Sequence, residues 1–153
     1  MKYITISFLL LLNACNNGTD TNADKDAILA LLQQERKAHF NKDVNLFMSE
    51  FAEGMYSVNK GLVDAASTDE QKKKIQSYFD AVEFIKWDDV AEPIINFSED
   101  HSMAYAIVQK QVLLERKDSS GISFTDTTSY AWTSIYQKQN NDWKIVCNTS
   151  TNK

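Results

Sequence analysis

Apolar residues recur at three- and four-residue intervals in the first half of the chain, and this is the spacing of one buried face on an α-helix. A first helix is predicted from Asp24, and one of its faces carries Ile28, Leu31, Leu32, Glu35 and His39. A second, short helix is predicted over 44–51, and Gly54 follows it as a breaker. A third helix is predicted after Ser67, because Ser67 and Glu70 have the spacing of a capping box.

The rest of the chain follows the alternating pattern of β-strands. A short strand is predicted over 55–58, before the third helix. Beyond Glu83 the predicted strands cover 84–90, 93–97, 103–116, 122–137 and 143–151. Turn-forming residues at 117–121 and 138–142 join the last of these strands as hairpins. Helices followed by long antiparallel strands predict a single α+β domain over 24–153.

The N-terminal residues show a third pattern, typical of export rather than of folding. Lys2 precedes an apolar run over 4–12, which is shorter than the about 20 residues of a membrane-spanning helix and resembles the core of a signal peptide. The run ends in Leu12-Asn13-Ala14-Cys15, which resembles the lipobox of bacterial lipoproteins. In that family the cysteine thiol carries a diacylglyceryl group and the chain is cut before it. The resemblance implies that residues 1–14 are a signal peptide and that Cys15 is lipidated.

Residues 15–23 contain no large apolar side chain and are predicted to form a flexible tether between the lipid and the domain. Asn16, rather than an aspartate, follows the cysteine, and no acidic run of the kind that marks surface export follows it. The resemblance therefore implies a cell-envelope protein, anchored in the outer membrane and facing the periplasm. The alternatives are an ordinary secretory signal with an incidental thiol, or a buried N-terminal strand.

The composition excludes several other classes of protein. The formal net charge is -5 and no basic stripe is visible, so no nucleic-acid partner is predicted. Two cysteines and two histidines leave neither a disulfide framework nor a dedicated zinc site. The sequence shows no glycine-rich phosphate loop and no metal-ligand spacing, so neither a cofactor nor a metal is predicted. Once Cys15 is lipidated, Cys147 has no other cysteine with which to pair.

Two segments resemble the NTF2-like superfamily, which includes SnoaL-like, DUF4440-type and ketosteroid isomerase domains. The turn 41–43 followed by 46–51 is similar to the acidic turn and apolar helix that precede the family's first strand. The closing segment 141–150 places Trp143 just after a hairpin, as the family's last strand does. The resemblance implies that a strongly curved, mostly antiparallel sheet wraps the N-terminal helices and leaves a cone-shaped pocket. It also implies a homodimer formed through the outer face of the sheet.

Alternation along the strands selects candidates for this pocket. On strand 122–137 the more aromatic face is assigned to the cone. That face carries Phe124, Asp126, Thr128, Tyr130, Trp132, Ser134 and Tyr136. One face of the last strand is predicted to carry Trp143, Ile145, Cys147 and Thr149. The predicted ligand-pocket residues are Tyr56, Gln109, Phe124, Thr128, Tyr130, Trp132 and Cys147.

Two residues are candidates for acid–base chemistry. Isomerases of the family place a carboxylate base near the first strand, where Asn59 and Lys60 stand in this chain, so the isomerase set is missing. His39 and Asp126 could instead converge in the cone with two of its tyrosines. The alternative is that His39 is a hydrogen-bonded helix residue and that the tyrosines belong to the core.

Three other chemical groups are interpreted as structural. Asp88 and Asp89 are adjacent on a predicted strand, so they point to opposite faces and do not form a dyad. Cys147, in an apolar strand, is interpreted as a small buried hydrophobe rather than as a thiol nucleophile beside His39. His101 lies in a turn and is interpreted as solvated.

These observations leave two classes of function. The first is a non-catalytic, membrane-anchored protein that binds a small apolar or amphipathic ligand, or an envelope protein, in an aromatic-lined cone. The second is a SnoaL-like isomerase, cyclase or hydrolase that acts on a small hydrophobic substrate through His39 or Asp126. Contact between those two side chains across an open pocket favours the enzyme. A narrow pocket filled by Trp132, Phe124 and Tyr130 favours binding or a structural role.

Replacing Cys15 with serine is expected to move the protein from the membrane fraction to the soluble fraction, because the acyl chains on the thiol supply the anchor. Each buried CH₂ contributes about 0.8 kcal/mol, so two or three acyl chains give stable attachment. Fractionation of cells that express Cys15→Ser, with Asn16→Ser as the control that keeps the thiol, measures the change. Unchanged membrane association of Cys15→Ser would contradict the lipoprotein prediction.

Overall fold

The computed structural model describes residues 21–65 and 68–153. The helices are α1 Thr21–Asn41, α2 Val44–Met48 and α3 Thr68–Ala81. The strands are β1 Phe51–Asn59, β2 Leu62–Asp64, β3 Val82–Asp89, β4 Ile94–Phe97, β5 Met103–Lys117, β6 Ser123–Gln139 and β7 Asp142–Asn152. Within the described ranges, no helix is long and apolar enough to cross a membrane.

In the described part of the chain, seven strands form one sheet that curves around the helices. The order is β2-β1-β7-β6-β5-β3, and β4 pairs with β5 next to β3. β3 and β4 lie one after the other along one edge of β5, where β3 pairs with residues 110–116 and β4 with residues 104–107. Neighbouring described strands are antiparallel, apart from β1 and β7, which run parallel. The predicted single-domain α+β fold is confirmed.

The predicted and the observed element boundaries differ most at the second helix. Asp43 caps the start of α2, where its carboxylate accepts the backbone N–H of Leu46 at 2.9 Å. The helix then ends at Met48. Phe51, which is predicted inside this helix, begins β1 and pairs with Ile145 of β7. Helical spacing of a few apolar residues fits both one longer helix and a short helix followed directly by a strand. The parallel pairing of Phe51 with β7 selects the second arrangement.

Two further differences concern turns and ends. β2 is missing from the sequence prediction, and it pairs with β1 through a hairpin at Lys60 and Gly61, whose positive φ angles of 49° and 76° suit a tight turn. α1 begins at Thr21, so residues 21–23 of the predicted tether belong to the helix. The predicted signal peptide, Cys15 and the rest of the tether lie outside the described residues, as does Ser67 of the predicted capping box.

One side of α1 packs into the curved sheet and forms the centre of the core. Ile28 and Leu32 of this helix are buried in a cluster with Phe79 of α3 and many side chains of the sheet. The inward-facing sheet residues of this cluster include Trp87, Ala106, Val108, Val112, Leu114, Trp132, Tyr136, Trp143 and Ile145. The predicted assignment of the even-numbered face of β6 to the interior agrees with this burial, since Trp132, Ser134 and Tyr136 are buried.

A β-bulge in β7 changes which side chains of this last strand face the interior. Ile135 of β6 pairs with Cys147, whereas the next residue, Tyr136, pairs with Ile145, so Val146 is the extra residue. An extra residue shifts the two-residue alternation by one position. The predicted common face of Trp143, Ile145, Cys147 and Thr149 is therefore wrong beyond Ile145: Cys147 lies opposite Ile135 on the outer face, and Asn148 turns inward beside Ser134.

A buried carboxylate joins the start of α1 to two hairpins. Asp24 accepts hydrogen bonds from Lys138 Nζ at 2.6 Å and from Trp143 Nε1 at 3.1 Å. Its other oxygen lies 3.3 Å from Nδ1 of His101, whose ring stacks on Phe97. Burial alone would raise the pKa of Asp24, but these hydrogen bonds hold it below its ordinary value. The interpretation of His101 as a solvated turn residue is therefore wrong, because His101 packs against the helix.

Candidate functional site

A pocket of about 250 Å³ opens between α2, α3 and the β1 side of the sheet. Its walls are mostly apolar and include Phe47, Met48, Phe51, Met55 and Ile75. Gln71, Ser57, Asp64 and Lys74 add polar groups to the lining. An exposed ion pair of 2.9 Å joins the last two of these, Lys74 Nζ and Asp64 Oδ2. We call this cavity the outer pocket.

A second, much smaller cavity of about 10 Å³ lies deeper in the cone. Phe51 and Asn148 line both cavities, so these two side chains lie between the inner cavity and the outer pocket. A volume of this size holds about one water-sized group. The polar residues that line it are Glu35, Glu50, Ser134, Tyr136 and Asn148. We call it the inner cavity.

Each of these five polar side chains has a buried oxygen that makes no hydrogen bond of ordinary length and angle among the described residues, although the hydroxyls of Ser134 and Tyr136 are close enough to interact with each other. The atoms are Glu35 Oε2, Glu50 Oε1, Ser134 Oγ, Tyr136 OH and Asn148 Oδ1. Glu50 is only 2% exposed and Tyr136 is 0% exposed. Leaving one such group unsatisfied costs about 1–3 kcal/mol, so five together are a large cost to the fold. A cluster of this kind indicates a site that receives a polar group.

Four different parts of the fold bring the five side chains together. Glu35 lies on the buried face of α1, one turn before His39. Glu50 lies between α2 and β1, and its carbonyl accepts the backbone N–H of Ile145 at 2.8 Å, which fixes the start of the β1–β7 pairing. Ser134 and Tyr136 project inward from β6. Asn148 reaches the cavity because of the bulge in β7.

Burial changes the protonation of the two glutamates. Glu35 is half-buried as a residue, but its Oε2 is buried, and burial of the carboxyl group raises the pKa of Glu35 to about 7. Lys110 opposes this shift and Asp89 adds to it. Burial raises the pKa of Glu50 further, to about 9, because the neighbouring charge of Glu35 also disfavours its ionisation. The pair therefore holds at least one proton at neutral pH.

A buried ion pair lies near this site. Lys110 projects inward from β5, is 1% exposed, and its Nζ lies 2.6 Å from Asp89 Oδ1 at the end of β3. Adjacent Asp88 forms surface ion pairs of 3.8 Å with Arg36 and Lys86. The two aspartates thus have separate partners, in agreement with the prediction that they do not form a dyad.

The structure places His39 in an aromatic cage rather than in a reactive pair. Its Nδ1 donates to the carbonyl of Glu35 at 2.7 Å, which is an i to i−4 contact along α1. Its ring stacks on Trp87 at 3.8 Å between centroids, and Phe47, Phe79 and Phe84 contact it edge-on. Burial lowers the pKa of His39 to about 4, so the imidazole is neutral at physiological pH. His39 thus matches the alternative interpretation, in which it is a hydrogen-bonded residue of the first helix.

Asp126 has a different environment from His39. Its carboxylate is 43% exposed and lies 3.6 Å from Nε of Arg116 on the neighbouring strand β5. The structure therefore gives the two candidate acid–base residues separate partners: the aromatic cage for His39 and a surface ion pair for Asp126. The sequence suggested that His39, Asp126 and two tyrosines converge in the cone. These contacts do not show that convergence.

The predicted pocket residues divide between the two faces of the sheet. Trp132 is buried and lines the inner cavity, Tyr130 packs against the core, and Thr128 is half-buried on the same face. Phe124 belongs to that face as well, but it lies near the start of β6 and is largely exposed.

Three predicted pocket residues lie on the outer face and do not line the cone. Tyr56 is 53% exposed and pairs with Cys147 of β7, which the bulge turns outward. Gln109 is exposed on β5, on the opposite face from buried Val108 and Lys110. A shift of one residue in alternation or register places a side chain on the opposite face of the sheet, and the bulge in β7 produces such a shift at Cys147. Cys147 therefore faces away from His39, but it is only half-buried on the outer face, so its interpretation as a small buried hydrophobe is wrong.

Sequence analysis missed the glutamates of the inner cavity, although one signal was available. Glu35 falls on the predicted apolar face of the first helix, where a carboxylate is exceptional. Glu50 likewise lies among apolar residues of the predicted second helix. Tyr136 and Ser134 are on the face that the sequence assigned to the cone. Asn148 carries no signal, since its inward orientation depends on the bulge.

Comparisons with known proteins define the fold. No family model matches the chain, and no curated protein matches it either. Among solved structures, an NTF2-like protein from Cytophaga hutchinsonii is similar, with a TM-score of 0.66, 14% identity, and coverage of 83% of this chain and 96% of that chain. A ketosteroid isomerase-like protein from Erwinia carotovora atroseptica has a TM-score of 0.67 and 14% identity, covering 86% of this chain and 97% of its own.

A protein with a cystatin-like fold from Nostoc punctiforme is also similar, with a TM-score of 0.65, 15% identity, and coverage of 87% of this chain and 93% of that chain. At these levels of identity the likeness concerns the fold. The chain therefore has the NTF2-like cone fold that its sequence resembles, with the inner cavity and the outer pocket between the helices and the sheet.

Replacing Glu50 with glutamine is expected to stabilise the protein at pH 8 by several kcal/mol, because each pH unit between the ordinary and the raised pKa of the Glu50 carboxyl costs about 1.4 kcal/mol. The folded protein keeps the Glu50 carboxyl protonated up to a pKa of about 9, whereas the ordinary value is 4.5, so stability is lost as pH rises through this window. The substituted amide does not titrate, and the advantage of Glu50→Gln should shrink towards pH 5.

Thermal unfolding of wild type and Glu50→Gln between pH 5 and pH 9 measures this difference. His39, whose pKa is lowered to about 4, makes both proteins less stable in acid and so cancels in the comparison. Glu53→Gln, at an exposed position in β1, is the matched control and should follow wild type. A Glu50→Gln protein no more stable than wild type at pH 8 would contradict the raised pKa.

Proposed function

We propose that this protein is a cell-envelope lipoprotein whose cone domain binds a small amphipathic ligand. The apolar part of the ligand occupies the outer pocket, and its polar end reaches the inner cavity. The observation that carries the proposal is the adjacency of the two cavities: Phe51 and Asn148 line both, so the apolar wall of the outer pocket lies next to the cluster of buried oxygens of the inner cavity.

The size and lining of the outer pocket support a small ligand. Pockets that bind drug-sized molecules have volumes of about 300–1,000 Å³, and this one, at about 250 Å³, lies just below that range. Burial of apolar surface contributes about 25 cal/mol per Å², so contact with Phe47, Met55 and Ile75 can supply binding energy. The polar inner cavity orients the ligand, because only one end of an amphipathic molecule satisfies it.

Binding is favoured over the acid–base chemistry of His39 and Asp126. His39 is neutral and enclosed by aromatic rings, and Asp126 is paired with Arg116 at the protein surface. A second candidate function, a SnoaL-like enzyme, is favoured by one observation: Glu35, with a pKa raised to about 7, faces the inner cavity. Such an enzyme would use Glu35 as its acid or base, in place of the residues that the sequence indicated.

Cys15 holds the domain at the membrane in this proposal. The lipobox-like segment and the short apolar run before it support lipidation, and the polar residues after it support a tether. The domain then faces the periplasm from the outer membrane, where it meets small molecules that cross the envelope.

A second copy of the chain covers the outer face of the sheet. Met103, Tyr105 and Ile107 of β5 are each about 41–42% exposed there. They border a hollow of about 580 Å³ that also includes Ile135. Because the protruding side chains and the hollow lie on one face, two copies related by a two-fold axis can each fill the hollow of the other.

Filling the outer pocket is expected to abolish ligand binding. Ile75→Trp places an indole in a pocket of about 250 Å³ and should weaken the binding of the uncharged fluorescent probe N-phenyl-1-naphthylamine by about tenfold or more, because the probe and the indole compete for the same volume. Fluorescence titration measures the affinity. Leu62→Trp adds the same indole to exposed β2, outside the pocket, and should bind like wild type. Equal binding by wild type and Ile75→Trp would place the ligand elsewhere.

Light scattering at micromolar concentration is expected to show a dimer of the soluble Cys15→Ser protein. Ile107→Lys should give a monomer, because it buries a charge in the interface without a partner. Gln109→Lys introduces the same charge two positions along the exposed face of β5 and should disrupt the dimer less, since Gln109 does not line the hollow. A monomer for the Cys15→Ser protein would refute the proposed dimer.

A further inference from the structure

We propose that the inner cavity recognises a primary ammonium group, so that the ligand is an amphipathic primary amine with a compact apolar body. This inference rests on the proposed binding function and adds the chemical class of the ligand. It follows from the kind of atoms that line the inner cavity, from its size, and from the charges that face it.

The unpartnered atoms that line the inner cavity are all oxygens. Carboxylate and amide oxygens accept hydrogen bonds, and the hydroxyls of Ser134 and Tyr136 accept as readily as they donate. Even when the two hydroxyls and the proton held by the glutamate pair donate within the cluster, its oxygens offer more acceptor sites than donors, so a ligand group that satisfies them must bring donors. A primary ammonium brings three N–H donors and no acceptor, whereas a carboxylate brings acceptors alone and a hydroxyl brings a single donor.

The size of the inner cavity favours a primary over a quaternary ammonium group. About 10 Å³ accepts a group of the size of one water molecule, and a primary ammonium is of that size. A quaternary ammonium, with methyl groups on the nitrogen, is too large. In this proposal the carbon that follows the nitrogen passes between Phe51 and Asn148, the two side chains that line both the inner cavity and the apolar outer pocket.

The charges around the cavity leave a place for one cation. Glu35 on α1 and Glu50 before β1 face the site, with Tyr136 from β6. The nearby cations are already engaged: Lys110 pairs with Asp89 across β5 and β3 at 2.6 Å, and Lys144 of β7 donates to the carbonyl of Ser49 at 2.7 Å. His39 of α1 is neutral at physiological pH. The glutamate pair is thus the acidic group that a ligand cation can neutralise.

A metal ion is a poorer fit than an ammonium group. The described residues include no cluster of three or more histidine, cysteine, aspartate or glutamate side chains suited to a metal. Two carboxylates with hydroxyl and amide neighbours match instead the several weak acceptors that surround an ammonium.

Binding of the amine is linked to protons at the glutamate pair. Burial raises the pKa of both glutamates above their ordinary values, so the pair must lose a proton to face a cation with full charge. An alkylammonium has a pKa near that of lysine, about 10.4, and stays charged up to pH 9. Amine affinity should therefore rise between pH 6 and pH 8, by up to about tenfold per pH unit for each proton released.

Calorimetric titration of the full-length protein in detergent with hexylamine, hexan-1-ol and sodium hexanoate tests the inference. The three probes share one apolar chain and differ in the head group. Ile75→Trp, with its outer pocket filled, serves as the blank for partition of the probes into micelles. Hexylamine is expected to bind at least about tenfold more tightly than hexanol at pH 8, and hexanoate more weakly than either. Titration in buffers of different ionisation enthalpy should show proton release with hexylamine alone.

Glu50→Gln is expected to lower the ratio of hexylamine to hexanol affinity by about tenfold or more, because it removes one of the two acids that pair with the cation. Glu53→Gln, on the exposed side of β1, should keep the wild-type ratio. Should Glu50→Gln fail to fold, the proton release and the pH dependence of the wild-type protein decide the question.

The outcomes separate the inference from the function on which it rests. Binding of hexanol or hexanoate as tight as that of hexylamine would refute ammonium recognition and leave the pocket as a ligand site. Hexylamine binding without proton release and without a rise from pH 6 to pH 8 would also refute it. Binding of none of the three probes would contradict the proposed binding function itself, and the inference with it.

Discussion

Burial of one face of α1 inside a curved sheet is the constraint from which the other features of this protein follow. That face carries not only Ile28 and Leu32 but also Asp24, Glu35 and His39, so the interior must accommodate three ionisable groups. Asp24 is satisfied by charge-assisted hydrogen bonds from the two hairpins, and His39 by a carbonyl of its own helix and by aromatic rings. Glu35 has a buried oxygen left without a partner among the described residues. Burial of Glu35 thus destabilises the fold, whereas the contacts of Asp24 and His39 stabilise it.

The distribution of unsatisfied groups connects this packing to function. Asp24 and His39, towards the two ends of the buried face of α1, have polar partners, whereas Glu35 between them faces the inner cavity, which shares Phe51 and Asn148 with the apolar outer pocket. Cores normally avoid buried polar atoms without partners, because each costs about as much as a lost hydrogen bond. Five of these atoms lie around the inner cavity, and the ligand site that we propose rests on this cluster.

Much of the fold was predictable because its long elements have strong local patterns. The periodicity of α1 and the alternation of β5 and β6 identified these elements, and the hairpin loops gave their antiparallel order. The candidate site was less predictable. Trp132, Ser134 and Tyr136 follow from the alternation of β6, but Tyr56, Gln109 and Cys147 were assigned to the wrong face. For Cys147 and Tyr56 the cause is geometric, since a bulge or an irregular pairing inverts the faces of a strand without changing its apolar content. Gln109 lies on a regularly paired strand, where apolar residues on both faces leave the inward face undecided by sequence.

Local spacing and composition were enough to predict the α+β architecture and the amphipathic first helix. Which side chains share the interior depends instead on long-range pairing. The bulge at Val146 turned Asn148 inward, the parallel pairing of β1 with β7 fixed Glu50 beside it, and the curvature of the sheet brought both to Glu35. Such contacts join residues far apart in the chain, and the raised pKa values of the two glutamates come from burial that no local pattern specifies.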